Sequence, residues 1–175
     1  MHAYSDLIYS STQFSLDALR EVSENATNAL QTSAATSLVK ALQLVQLQKA
    51  IQAVGMFAMF EAMLQDGLSV GHGFNEAATI LECEGEVSLK EKFEDLQAAV
   101  NVLKHGTGRS YNYLVGKAAT LPFRVKLPGQ AFFSEGDVSE VATLIEVDDA
   151  FVLSCAEVIR DVSDVIRTAR PNFVG

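Results

Sequence analysis

The sequence predicts an all-α protein: an antiparallel bundle of three or four long helices, with short extra helices and a proline-containing extended loop or weak hairpin near 121–134. Two observations carry that reading. Apolar residues recur at three- and four-residue spacing over most of the chain, the signature of one helix face turned to a core. The prolines are confined to Pro122, Pro128 and Pro171, so the periodic segments run without the residue that breaks helices.

The first periodic segment covers about Ser5 to Gln31, with Leu7, Ile8, Phe14, Leu19, Val22 and Leu30 on its apolar side. Small polar residues from Thr27 to Ser37 mark a break or a polar helix turn. The second, about Ala34 to Asp66, is the longest, and apolar residues cover more than one of its faces between Val54 and Leu64. A helix of that kind is buried centrally or forms part of a dimer interface, which predicts a homodimer. Gly67 is placed like a C-terminal cap. Gly71-His72-Gly73 is a turn before a short helix, about Asn75 to Glu82, and Glu84-Gly85-Glu86 is a second break.

Ser88 followed by Glu91 reads as a capping box opening a helix with Leu89, Phe93, Leu96, Val100 and Leu103 on one stripe. That helix ends near His105-Gly106. Ser110 or Asn112 starts a short helix to about Lys117. From Leu121 to Phe133 the chain is extended, and Phe123, Val125, Phe132 and Phe133 pack it onto the bundle. Asp137 or Ser139 caps the last helix, whose stripe from Val138 through Ile145 to Ile166 is stopped by Pro171. Asp148-Asp149 falls within that helix, on a solvated face.

With 175 residues, one domain spanning 1–175 is expected, large enough for a core without staples. Cys83 and Cys155 form no CxxC pair and read as small core residues in a reducing compartment. No Cys/His or Glu-x-x-His spacing points to a metal or cofactor. The N-terminal residues show no basic or long apolar region, and no segment approaches the roughly 20 apolar residues a membrane span needs. A cytoplasmic protein is expected. The formal net charge of −9 opposes general phosphate-backbone binding and membrane-surface binding, so neither DNA nor membrane partners are expected.

One segment looks like chemistry: Asn101-Val-Leu-Lys-His-Gly-Thr-Gly-Arg-Ser110. Lys104, His105 and Arg109 gather positive charge in an acidic chain, Gly106 and Gly108 let the backbone turn and expose N–H groups, and Ser110 adds a hydroxyl. A helix starting near Ser110 would aim free amides at the same place. That set suits a phosphate or carboxylate, with Lys104, Arg109 and Ser110 as ligand-binding groups and His105 as a general acid or base. The plainer alternative is a C-cap and loop, with Lys104 and His105 favoured by the helix dipole.

Asn101-Val-Leu-Lys-His105 also resembles the Asn-x-x-x-His part of the Arg-Asn-x-x-x-His motif of HEPN domains (higher eukaryotes and prokaryotes nucleotide-binding). The resemblance implies a small helical bundle, often dimeric, and many members are metal-independent ribonucleases of toxin–antitoxin and defence systems. It assigns catalytic roles to Asn101 and His105 and implies nucleotide or RNA as ligand. The motif arginine is Val100 here, within the apolar stripe, which speaks against ribonuclease activity. Three function classes follow: a HEPN-like protein with a nucleotide or phosphate site at Asn101–Arg109, a non-catalytic interaction or regulatory homodimer with an exposed apolar patch at Val54–Leu64 or Phe132–Phe133, and a small-molecule binder with a pocket lined by Phe123, Phe132 and Phe133.

Overall fold

The computed structural model describes residues 3–130, 132 and 141–173. Its helices are α1 (Tyr4–Leu30), α2 (Thr36–Leu68), α3 (Gly73–Cys83), α4 (Val87–His105), α5 (Arg109–Lys117) and α6 (Asp149–Ala169). The all-α bundle is therefore as expected. Four helices are long and two are short, and α1, α2, α4 and α6 form the frame.

Long-range contacts fix the directions. Thr12 of α1 donates to the Met56 sulfur of α2 at 3.1 Å, while Arg20 reaches Asp149 at 3.2 Å and Arg160 lies over the Tyr9 ring at 4.3 Å. So α1 runs antiparallel to both α2 and α6. Lys49 pairs with Asp149 and Gly67 abuts Phe173, so α2 and α6 run side by side in the same direction.

The centre of the core is aromatic. Phe57 and Phe60 of α2, Phe74 of α3 and Phe93 of α4 pack as one group, from the Phe57–Phe93 stack at 6.2 Å to the edge-on Phe74–Phe93 contact at 5.4 Å. Such pairs add about 0.5–1.5 kcal/mol each beyond the area they bury. Around them α6 turns inward Val152, Cys155, Ile159, Val162 and Ile166, all fully buried.

The proline segment packs on this bundle, and among the described residues it pairs with 144–146 rather than with itself. Val125 bridges Ile145 in antiparallel fashion, flanked by Lys126 N–H to Leu144 C=O at 2.9 Å and Glu146 N–H to Arg124 C=O at 3.0 Å. Phe123 meets Phe151 edge-on at 5.3 Å. The Tyr111 hydroxyl donates to the Lys126 carbonyl at 2.7 Å, which ties α5 to the same segment.

Several local expectations are corrected. Gly67 is inside α2; the left-handed cap is Ser69, φ 55°. Gly67 instead makes room for the Phe173 ring, which a Cβ there would approach to 2.8 Å. Ser88 caps nothing: α4 begins one residue earlier, with Glu86 at its N-cap and no side-chain cap bond, and Glu91 is drawn to Lys117. The last helix starts later than its apolar spacing implied. Asp137 and Ser139 lie outside the described residues, but 141–148 are not helical, because Ile145 is held by Val125. Asp148 is the N-cap, accepting from Phe151 N–H at 2.7 Å, and Asp149 is paired rather than solvated. Cys83 is exposed and only Cys155 is buried, where desolvation raises its thiol pKa.

Gly73 opens α3 with its backbone against α2. A Cβ there would sit 2.7 Å from the Leu64 Cβ and 2.9 Å from the Glu61 carbonyl, and helix backbone cannot give way as a side-chain tip can. Gly73→Ala is expected to destabilise the protein by about 1–3 kcal/mol in chemical denaturation, against the modest gain that alanine gives in an unconstrained helix.

Candidate functional site

The singled-out segment straddles the α4–α5 junction. Asn101, Lys104 and His105 occupy the last turns of α4 at three- and four-residue spacing, which places them on one side of the helix. Gly106 turns the chain with φ 73°, a value that glycine adopts at little cost. Arg109 and Ser110 then open α5, whose N-cap is Gly108, so no side chain caps its first turn. Lys104, His105 and Arg109 are exposed, and Asn101 and Ser110 are half-buried. Among the described residues none of these five side chains takes part in an ion pair or side-chain hydrogen bond. Val100, in the motif's arginine position, is core at 3% exposure. The segment is therefore an open, positively charged corner.

The tight polar constellation lies about two helix turns away and escaped the sequence reading. Asp95 of α4 is 7% exposed. Lys117 of α5 donates to its two carboxylate oxygens at 2.7 and 2.9 Å and to Glu91 at 2.9 Å, and Tyr113 donates to Asp95 at 2.7 Å. Burial alone would lower the Lys117 pKa, but the Asp95 and Glu91 carboxylates outweigh it and hold the ammonium well above its ordinary value. Desolvation, then the bond to Asp95, raise the Tyr113 hydroxyl. A cleft of about 260 Å³ runs beside this group, lined by Ser88, Lys92 and Phe123 among others. Every charge at its floor is satisfied, so the group works as a clamp fastening α5 to α4. Its only trace in the sequence is a pair of four-residue spacings, Glu91/Asp95 and Tyr113/Lys117, whose facing depends on how α4 and α5 cross.

Two further clefts complete the picture. One of about 290 Å³ lies under the proline segment, lined by Leu121, Phe123, Leu127 and Phe132; the Phe132 ring is covered by Arg124 at 5.5 Å and Lys126 at 6.0 Å, and Phe133 lies outside the described residues. A small one, about 90 Å³, sits at Gln46 and Asp148. Among the described residues no group of His, Cys, Asp or Glu is arranged to hold a metal ion, and no helix is long and apolar enough to cross a membrane. Comparison with known proteins finds no matching family model, no similar curated protein and no similar solved structure.

The expected apolar patch is present, but displaced toward the N-terminus of α2. Of Val54–Leu64, the residues Met56, Phe57, Phe60 and Leu64 are buried. The exposed apolar side chains are Leu44 (55%), Leu47 (43%), Ile51 (53%) and Met59 (58%). With Gln48, Gly55, Ala58 and Ala62 they form one stripe along α2. No charged residue in the span from Leu44 to Ala62 is exposed: Lys49 is turned inward to Asp149, and Glu61 is half-buried. Beside the stripe, a groove of about 300 Å³ opens between α1 and α2, bounded by Leu19 and Val22 on one side and Leu44, Leu47 and Ile51 on the other.

Removing the clamp should cost stability, and removing the open corner should not. Lys117→Met leaves Asp95 buried without its ammonium and is expected to lower stability by about 2–3 kcal/mol, less than a fully buried pair because Lys117 reaches solvent. His105→Ala and Arg109→Ala should each stay within about 0.5 kcal/mol of wild type. Urea denaturation followed by circular dichroism measures both.

Proposed function

We propose that this protein is a non-catalytic interaction protein whose working surface is the outward face of α2 with the adjoining α1 groove. One observation carries the reading. A chain of net charge −9 leaves a helix face free of exposed charge from Leu44 to Ala62, while large apolar side chains on it stand about half exposed. Depletion of charge with retained large apolar groups marks the centre of a protein interface. Isolated exposed apolar residues need no explanation, but a continuous stripe of them does.

A second reading keeps the HEPN-like resemblance. It treats Asn101, Lys104, His105, Arg109 and Ser110 as a nucleotide or phosphate site, with His105 and Asn101 in the catalytic roles. It is favoured by the exposure of Lys104, His105 and Arg109 without an acidic partner among the described residues in so acidic a chain. Against it stands Val100 in the core.

Photo-cross-linking in the native host separates the two. With a benzophenone amino acid at Leu47, and separately at Arg109, the interaction reading expects protein adducts from position 47 and none from 109. RNA or nucleotide adducts from 109, with none from 47, would overturn it in favour of the second reading.

A further inference from the structure

The occupant of the α2 face can be read from its own residues. Resting on the reading of that face as a docking surface, we infer that it is covered by a second copy of this chain, its α2 laid antiparallel across a two-fold axis level with Ala53.

The stripe is bulky at one end and small at the other. Leu44, Leu47 and Ile51 fill its first half; Gly55, Ala58 and Ala62 make up most of its second, with Met59 the one large side chain there. An antiparallel partner about Ala53 sets the bulky half of each helix against the small half of the other. Leu44 lies level with Ala62 of the second copy and Ile51 with Gly55. Gln48 lies level with Ala58, and Leu47 with Met59, the one place where two large side chains meet. An isologous contact requires this self-complementarity, in which each pairing occurs twice.

The charges at its ends agree with the same register. Lys40 and Asp66 are both exposed, they bound the charge-free stripe, and neither takes part in an ion pair among the described residues. The axis that matches Ile51 to Gly55 also brings Lys40 of each copy level with Asp66 of the other. A parallel arrangement would instead put Lys40 beside Lys40 and Asp66 beside Asp66. Charge argues for self-pairing in a second way, because two strongly acidic chains can approach closely only through a face that carries no acid. The Lys40–Asp66 span is about 39 Å of helix, and the α1 groove widens the contact on one side.

Sedimentation equilibrium of the full chain tests the register. Wild type should dimerise, and Ile51→Lys, at an exposed position, should be monomeric. Lys40→Glu and Asp66→Lys should each weaken self-association by about tenfold, since each places like charges together twice, and the double swap Lys40→Glu/Asp66→Lys should restore it to within about threefold of wild type. A monomeric wild type, a dimer indifferent to Ile51→Lys, or a double swap no tighter than the single variants would overturn the inference. If wild type is monomeric but cross-links from Leu47 reach a different protein, the docking surface stands and only the second copy is wrong.

Discussion

The rest of the structure depends on one constraint: α2 is apolar on nearly every side and must be covered on nearly every side. Its inner surface is met by α1 and α6, and its C-terminal half by α3 and α4. Phe57 and Phe60 are sealed by Phe74 and Phe93, and Leu64 by the bare backbone of Gly73. Burying large side chains this completely contributes about 1.5–3 kcal/mol each, which is why the short α3, unable to persist alone, is held in place. Among the described residues, the stripe from Leu44 to Ala62 is left without a neighbour.

Polar contacts then fix the elements that the apolar core leaves free. Lys117 and Tyr113 lock α5 onto Asp95. Lys49 and Arg20 converge on Asp149; burial opposes ionisation of that carboxylate, but the two cations prevail and its pKa is lowered. Together they pin the start of α6 to α1 and α2. Both groups join neighbouring helices, with their charges paired. The cations of the α4–α5 corner, in contrast, point outward without partners among the described residues.

Much of this was legible in the sequence. The long periodic runs gave α1, α2, α4 and α6 as helices, and glycine placed the α3–α4 and α4–α5 turns, because helical spacing and positive φ are local properties. What failed depended on contacts distant in sequence. Leu144 and Ile145 continue the helical spacing of α6, yet they are extended because Val125 pairs across from them. Ser88 and Glu91 match a capping box, yet Lys117 takes Glu91. The clamp at Asp95 was hidden because nothing local says that α4 and α5 face each other there. The surplus of apolar residues on α2 was visible, but not its placement: the Phe-rich part turned inward, and the exposed share fell between Leu44 and Met59.

The most direct measurement is the distance between spin labels placed at one position in two copies of the chain. With Ser37→Cys in a Cys83→Ser background, the antiparallel arrangement about Ala53 predicts a single distance near 50 Å. A short distance near 15 Å would mean that the two α2 helices run parallel. The absence of any dipolar modulation would mean that the α2 face does not receive a second copy at all.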